Sequence, residues 1–268
     1  MAGLIYQGES GAMNEAFSDI FGEAIDLLVQ EGAVEEDDYR SVWPLQCHDH
    51  VGVDGVSPAG TDKGFRWALG ENVTAGSGGQ LRDMYYPECH SDPGSVYSQY
   101  YMCSQWNVDG SGVHTNSGVL NRLFAVLTDG GEYANPVGGS NLVIDALGLT
   151  KTLNLFYQAE FSLTPQSQFH DGAAALILTC LNLVGQDIYR PNVLDTSVLV
   201  SSESFTSADC DTVTAALTGS GISGTSTHCP NLGCVYDTYG YESELYCILC
   251  VFCFLCLHMS QALVSFSC

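Results

Sequence analysis

The chain has 268 residues, of which 31 are acidic and only 7 are basic, so its formal net charge at pH 7 is -24. This charge disfavours binding to nucleic acid and to anionic membrane surfaces, because both repel carboxylates. Apolar residues make up 46% of the chain, enough to bury the core of one large domain or of two smaller ones. An excess of carboxylates suits a soluble extracellular protein or one that binds calcium, although solubility alone accounts for most such charges.

The cysteine content favours an oxidising compartment. Twelve cysteines are more than a cytosolic enzyme of this size normally carries. The spacings of Cys89 from Cys103 and of Cys180 from Cys210 suit loop-closing disulfides, although the sequence does not fix the pairing. Asn72 begins a glycosylation sequon, which agrees with secretion. Residues 1–30 contain neither the basic nor the apolar region of a signal peptide, so we expect a secreted protein represented by an N-terminally truncated chain.

The first predicted element is a helix that begins near Ser10, whose hydroxyl can cap it. Six apolar side chains share one side of this helix, namely Met13, Phe17, Ile20, Ala24, Leu27 and Leu28. The carboxylates of Glu15, Asp19 and Asp26 cluster on the other side, and no Lys or Arg lies nearby in the sequence to relieve their repulsion. A solvated acidic face is the ordinary interpretation of this pattern, and a bound cation is the alternative.

The next predicted elements are loops followed by further helices. Residues 31–112 are rich in Gly, Ser, Asp and Pro and show little periodicity, so we predict long functional loops with short elements. Helical periodicity returns at residues 116–128, at about 141–161, at 171–184 and briefly at 209–217. Gly130 and Gly131 are predicted to end the first of these helices and Gly185 the third. Several helices and few alternating segments predict a mainly α fold.

The last part of the chain, residues 221–268, differs in composition. The sequence from Leu245 to Met259 is almost entirely apolar, and its cysteines recur at every third position, at Cys247, Cys250, Cys253 and Cys256. This apolar stretch is short for a bilayer span, and the cysteine spacing lacks the final gap and proline of an iron–sulfur motif. A weak membrane anchor, a buried terminal helix and translated non-coding sequence stay open as interpretations, and the abrupt change of composition favours the third.

Several motifs occur in the order in which one enzyme family has them. They are GLIYQGESGAMNEAFSDIFG at residues 3–22, then WALGENVT, GQLRDM, NVDGSGVHTNSGVLNR and YQAEFSLTPQSQFHDGAAA. Together they resemble the thermolysin-like metallopeptidases, from the point just after the HExxH helix of that family. The resemblance covers about residues 2–220, with an apparent insertion near 31–62. It implies that residues 1–220 form the mainly α C-terminal domain of a zinc metalloendopeptidase, which would cleave peptides or proteins and would follow an N-terminal lobe.

The resemblance implies metal-binding roles for the acidic side of the first helix. Glu15 resembles the third zinc ligand of the family, which joins two histidines from HExxH in the ligand set of a catalytic zinc. Asp19 matches the carboxylate that holds a ligand histidine through its other ring N–H. Asp26 matches a calcium-binding glutamate. The implied cofactors are therefore Zn²⁺ and Ca²⁺.

The resemblance also implies roles in peptide hydrolysis for four residues. His114 matches the histidine that donates to the oxyanion of the tetrahedral intermediate, and Asp109 matches the aspartate that orients this histidine. Tyr6 and Arg82 match the tyrosine and arginine that assist the oxyanion and bind the substrate backbone. Donors aimed in this way commonly contribute about 3 to 4 kcal/mol each to transition-state stabilisation.

The sequence departs from the family pattern at both metal sites. HExxH is absent from the 268 residues, so the chain alone is expected neither to hold zinc tightly nor to activate water. Near the calcium site only Glu71 matches clearly, whereas Arg66 and Ala68 stand where the family usually has carboxylates. A non-catalytic peptide-binding protein of the same fold is the alternative to a truncated enzyme.

Other function classes fit the sequence less well. The run NVDGSGVHTNSG begins like an EF-hand loop, but Gly118 occupies the twelfth position, where a bidentate glutamate is required. The chain also lacks GxSxG and GxxxxGK[ST], which argues against a serine hydrolase of that type and against a P-loop enzyme.

Overall fold

The computed structural model of the chain describes residues 3–30, 67–70, 81–192, 199–224 and 229. These residues belong to one compact unit, Met1–Cys229. Three predicted features lie wholly or mostly outside the described residues: the insertion at 31–62, the sequon at Asn72 and the tail at 221–268.

Helices dominate the described part of the chain, which confirms the mainly α class. They are α1 (Gly8–Gln30), α2 (Asp109–Gly112), α3 (Ser117–Asp129), α4 (Leu149–Glu160), α5 (Phe169–Leu183) and α6 (Ser207–Ser220), with a 3₁₀ helix at Pro87–His90. The strands are β1 (Ala68–Leu69), β2 (Arg82–Asp83), β3 (Gly131–Tyr133), β4 (Leu142–Ile144), β5 (Tyr189–Arg190) and β6 (Leu199–Val200). They pair antiparallel as β1–β2, β3–β4 and β5–β6.

The helices share one hydrophobic core, and the apolar side of α1 forms a large part of it. Met13 and Ile20 are fully buried, as the periodicity of α1 predicts. Helix α1 packs on α3, α4 and α5. The ring of Phe124 on α3 meets those of Trp67 and Phe156 edge-on, with centroids 5.8 Å and 5.2 Å away. Burying such a side chain contributes about 1.5–3 kcal/mol, so this face fixes the position of α1 and of the acids on its other side.

Most predicted helices are confirmed, with changes at their ends. Helix α1 begins at Gly8, so the prediction that Ser10 is its N-cap was wrong. The Ser10 hydroxyl donates instead to the carbonyl oxygen of Pro165, at 2.9 Å. The helices predicted at 116–128, 171–184 and 209–217 correspond to α3, α5 and α6. Helix α6 starts earlier than predicted because Thr206 and Asp209 form a capping box there.

The helix predicted at about 141–161 was wrong in its first part. Residues 142–144 form β4, and α4 begins only at Leu149, after Gly148 with φ of 81°. Ile144 is opposite Gly131 of β3 and is almost fully buried. Strand pairing and burial therefore override the local helical periodicity here, as β-branched residues on a pleated surface allow.

Two disulfides join described residues. Cys180 and Cys210 link α5 to α6, as their spacing suggested. Cys103 is bonded to Cys229, 126 residues later, so the predicted disulfide between Cys89 and Cys103 was wrong. Tertiary proximity rather than sequence spacing selects the partner of Cys103. Within the described residues, every helix is too short or too polar to cross a membrane.

Candidate active site

Four predicted site residues, Tyr6, Glu15, His114 and Asp109, form one hydrogen-bonded chain. The Tyr6 hydroxyl donates to Oε1 of Glu15 at 2.5 Å and lies 2.8 Å from Nε2 of His114. On the other side of the ring, Nδ1 of His114 is 2.5 Å from Oδ1 of Asp109. Oε2 of Glu15 is 3.8 Å from Nε2 of His114. The fold thus brings together side chains from the start of α1 and from the segment around α2.

The backbone of α1 approaches the segment before α3 closely, and this brings Tyr6 and Glu15 within reach of His114. A side chain on Gly11, in the first turns of α1, would overlap Val113, the residue that precedes His114 in the sequence. The segment before α1 is also held in place, because the N–H of Ile5 donates to the carbonyl oxygen of Pro165 at 2.8 Å. Tyr6 therefore has a fixed backbone although half of its side chain is exposed.

The turn α2 carries Asp109 in an uncommon backbone conformation. Its four residues Asp109, Gly110, Ser111 and Gly112 have φ of 53°, 55°, 66° and 87°, so the turn is left-handed throughout. Each left-handed position costs about 1–2 kcal/mol for a residue with a Cβ, whereas glycine avoids this cost. The left-handed path turns the Asp109 carboxylate back onto the residues that follow it.

The Asp109 carboxylate is held by several donors. Oδ2 accepts from the backbone N–H groups of His114 and Thr115, each at 3.0 Å, and from the Thr115 hydroxyl at 3.2 Å. Partial burial by itself would raise the pKa of Asp109, but the hydrogen bonds from His114 and Thr115 outweigh it and hold the pKa below its ordinary value. An ionised carboxylate only accepts, so Nδ1 of His114 carries the proton between them.

The other side of the His114 ring faces the Tyr6 hydroxyl. Because the hydroxyl proton points to Glu15, the contact between Tyr6 and Nε2 is also a hydrogen bond only when Nε2 carries a proton. The hydrogen bond to Glu15 is the main cause that raises the pKa of Tyr6 to about 12, so the phenol stays protonated at neutral pH. The site therefore places the Tyr6 hydroxyl and Nε2 of His114 side by side, on side chains that are about half exposed.

Arg82 and Asp19 form an ion pair that is more buried than the neighbouring hydrogen-bonded chain of Tyr6, Glu15, His114 and Asp109. Nε and a terminal nitrogen of Arg82 donate to the two oxygens of Asp19 at 2.9 Å and 2.8 Å. Asn121 also donates to Oδ2 of Asp19, at 2.8 Å. Burial lowers the pKa of Arg82, but the hydrogen bond and charge of Asp19 raise it overall. The expectation that the acids of α1 lack a cation was therefore wrong for Asp19, and its role toward a ligand histidine stays a prediction.

The metal sites implied by the resemblance are not completed by the described residues. Among these residues, three or more His, Cys, Asp or Glu side chains are nowhere arranged to hold a metal ion. Glu15 would supply only one ligand of such a site, so the described residues alone do not fit zinc. Asp26 lies eleven positions further along α1, about 16 Å away along the axis, so it belongs to no common site with Glu15. Calcium at Asp26 stays a prediction.

Sequence reasoning missed several side chains that hold this region together. Asn116 and Asn121 lie within the motif NVDGSGVHTNSGVLNR, but no role followed from their positions alone. Glu9, in the first turn of α1, accepts from the Tyr101 hydroxyl at 2.8 Å. Their partners are distant in sequence or are backbone groups, so membership of the motif was the only available signal.

Comparison with known proteins shows the family of this chain. The family model described as "Thermolysin metallopeptidase, alpha-helical domain" matches residues 2–43 and 51–197. The chain therefore belongs to the thermolysin-like metallopeptidases and represents their C-terminal helical domain.

Two relatives found by sequence agree with the family model. Bacillolysin from Brevibacillus brevis is 33% identical over 187 residues, which are 69% of this chain and 27% of bacillolysin. A zinc metalloproteinase from Renibacterium salmoninarum is 29% identical over 195 residues, which are 69% of this chain and 28% of the relative. Among solved structures, the precursor of protealysin, a metalloproteinase from Serratia proteamaculans, has 20% identity to this chain and a TM-score of 0.49. The match covers 82% of this chain and 52% of the protealysin precursor chain. The chain thus spans roughly a quarter of the length of these sequence relatives.

Proposed function

We propose that this chain is the C-terminal domain of a secreted zinc metalloendopeptidase that cleaves peptide bonds in peptides or proteins. The observation that carries the proposal is the hydrogen-bonded chain from Glu15 through Tyr6 and His114 to Asp109. It combines a carboxylate with a phenol and an imidazole that are about half exposed, and acyl-transfer chemistry uses such groups.

In this proposal Glu15 is one of three zinc ligands. The described residues contain no group that completes the site. The two histidine ligands and the general base would come from an HExxH segment of an N-terminal lobe, in a longer protein to which this chain contributes the C-terminal part. Family membership supports this arrangement, as do the half-exposed side chains of Tyr6 and His114 beside Glu15.

The residues of this chain would act on the charge that develops on the substrate carbonyl oxygen. Tyr6 would donate to that oxygen instead of to Glu15, and His114 would donate from Nε2 with both of its ring nitrogens protonated. Such a donor is commonly worth about 3 kcal/mol in the transition state. Asp109 would keep the imidazole oriented and protonated at Nδ1. Arg82, held by both oxygens of Asp19, would bind a carbonyl of the substrate backbone.

The finer organisation belongs to the same proposal. Residues 1–220 would form the domain, with 31–62 as an insertion and 221–268 as a separate tail. A calcium ion at Asp26 is supported by the family resemblance alone.

The proposal is tested on the natural gene product, including whatever sequence precedes residue 1. We expect about one zinc per chain and hydrolysis of peptides with apolar side chains next to the cleaved bond. Glu15→Gln should lower zinc affinity at least about 10-fold and remove most activity. Glu132→Gln changes an exposed glutamate in the same way and should leave both unchanged. A product without HExxH, or full zinc content and activity in Glu15→Gln, would contradict the proposal.

A non-catalytic peptide-binding protein is the second candidate. Three exposed apolar side chains favour it: Leu81 next to Arg82, with Trp106 and Val108 just before Asp109, are 65%, 52% and 64% exposed. These side chains could bind an apolar peptide without zinc. Titration calorimetry with such a peptide in the presence of a chelator separates the two candidates, because a natural product that lacks zinc but binds the peptide supports only this one.

A further inference from the structure

Asn116 lies between the two segments that shape the candidate active site. It directly precedes α3, two positions after His114, and is completely buried. Its side-chain amide binds both polar backbone groups of Met102: Nδ2 donates to the carbonyl oxygen at 2.8 Å, and Oδ1 accepts from the N–H at 2.9 Å. The side chain thus pairs with the Met102 backbone as a neighbouring strand would.

The same residue also contacts the end of the left-handed turn α2. The N–H of Asn116 donates to the carbonyl oxygen of Gly112 at 2.8 Å. A Cβ on Gly112 would lie 2.7 Å from Nδ2 of Asn116 and 3.0 Å from Cβ of Met102, so only glycine fits at this contact. The position of Asn116 therefore sets the direction of α2 at the contact with Gly112, and this direction sets the position of Asp109.

Met102 is a firm support because its two neighbours are anchored as well. The hydroxyl of Tyr101 donates to Glu9, and Cys103 is bonded to Cys229. A strained backbone persists only when surrounding contacts over-determine it. Asn116 supplies the contact that joins the strained turn to this anchored segment.

We propose that Asn116 is a positioning residue for the pair Asp109 and His114. It holds α2 against Met102 and thereby keeps the Asp109 carboxylate on Nδ1 of His114. The importance of the pair for peptide hydrolysis rests on the proposed function, whereas the positioning needs neither zinc nor activity.

A second asparagine provides a matched control. Asn154 on α4 binds both backbone groups of Tyr189 in the same manner, with Nδ2 donating to the carbonyl oxygen at 2.7 Å and Oδ1 accepting from the N–H at 3.2 Å. Truncating Asn154 removes the same kind of contact at β5, in a part of the fold that carries none of the candidate site residues.

The test is nuclear magnetic resonance on the ¹⁵N-labelled full chain. Wild type and Asn154→Ala should show a protected Nδ1 proton on His114 and slow exchange of the His114 and Thr115 amides, which bond to Asp109. Asn116→Ala should lose the Nδ1 proton signal and speed exchange of these two amides at least about 10-fold, while amides in the middle of α5 stay within about 2-fold of wild type.

Unchanged Nδ1 and amide signals in a folded Asn116→Ala would overturn the proposal. If Asn116→Ala does not fold, Asn116→Asp replaces it, because the aspartate keeps the shape and the acceptor but not the donor to Met102. Loss of the whole fold in both variants would also overturn it, since Asn116 would then act on the entire domain. A Glu15→Gln variant with unchanged zinc content would contradict the proposed function and leave this result intact.

Discussion

The Tyr6 hydroxyl lies 2.8 Å from Nε2 of His114, although 108 residues separate the two in the sequence. Their rings meet edge-on, with centroids 6.0 Å apart and planes at 73°. Tyr6 comes just before α1 and His114 between α2 and α3, so their contact depends on how α1 packs against the segment around Val113. Both side chains are about half exposed, and in the proposed function both donate to the oxyanion.

Removing the Tyr6 hydroxyl should therefore affect catalysis far more than stability. In the natural gene product, we expect Tyr6→Phe to lower kcat by about 10² with little change in KM, because the lost hydrogen bond forms mainly in the transition state. The free energy of unfolding should change by less than about 1 kcal/mol, since the side chain is half exposed. Steady-state kinetics and urea unfolding measure the two quantities.

Tyr157→Phe is the control for this change. Tyr157 is similarly exposed, at 56%, and lies on α4, which carries none of the candidate site residues. It should leave kcat unaffected. A Tyr6→Phe enzyme as active as wild type would show that the hydroxyl does not assist the oxyanion.

Replacing only one member of the pair Arg82 and Asp19 should lower the free energy of unfolding markedly. Their side chains are only 17% and 11% exposed. Arg82→Ala leaves a buried carboxylate without its cation, so we expect a loss of about 3–5 kcal/mol in the free energy of unfolding. Arg82→Lys should also destabilise, because one ammonium group cannot bond both oxygens of Asp19 as the guanidinium does.

A double substitution separates this pairing from simple packing. The combination of Arg82→Met with Asp19→Leu should destabilise less than Arg82→Ala alone, because no charge is left buried. Chemical denaturation of Arg82→Ala, of the double variant and of its two single variants, Arg82→Met and Asp19→Leu, gives the comparison. Losses that simply add would mean that the two side chains contribute independently.

The left-handed turn α2 predicts a stabilising substitution at Ser111. With φ of 66°, Ser111 is strained where glycine would not be. We expect Ser111→Gly to raise the free energy of unfolding by up to about 1 kcal/mol. The same substitution at Ser18, within α1, should lower it by about 0.5–1 kcal/mol. Thermal unfolding of the two variants measures this difference in sign, and destabilisation by both would contradict the prediction.

Asp92 should make stability depend on pH near neutrality. Burial raises its pKa to about 7, with Arg82 opposing the rise and the charges of Asp109, Asp19 and Glu88 adding to it. In the unfolded chain this carboxyl titrates near pH 4, about its ordinary value. Between about pH 4 and pH 7 the folded state binds the additional proton, so stability falls as pH rises through this window and is level above it.

Asp92→Asn should remove this dependence. We expect it to raise the free energy of unfolding by on the order of 2 kcal/mol at pH 8, allowing for partial exposure, and to change it little at pH 4. Urea unfolding at pH 4, 6 and 8 measures the effect, with the exposed Asp187→Asn as control. An equal effect of Asp92→Asn at all three values would contradict it.

Local features of the sequence predicted much of the fold. The periodicity of α1, α3, α5 and α6 was sufficient because apolar side chains that repeat at helical spacing must face one core. The predictions that failed, at Ser10, at residues 142–144 and for the partner of Cys103, all depended on contacts distant in sequence.

By itself the sequence determined helices α1, α3, α5 and α6, the two faces of α1 and the family whose motifs contain Glu15 and His114. Only the tertiary structure decided that Tyr6 contacts both of these residues, that Arg82 pairs with Asp19 and that Asn116 bonds the backbone of Met102. The physical reason is that these contacts join distant segments, and that positive φ at Asp109 is locally unfavourable. Local sequence preferences do not predict a backbone conformation or a contact partner that becomes favourable only through packing with distant segments.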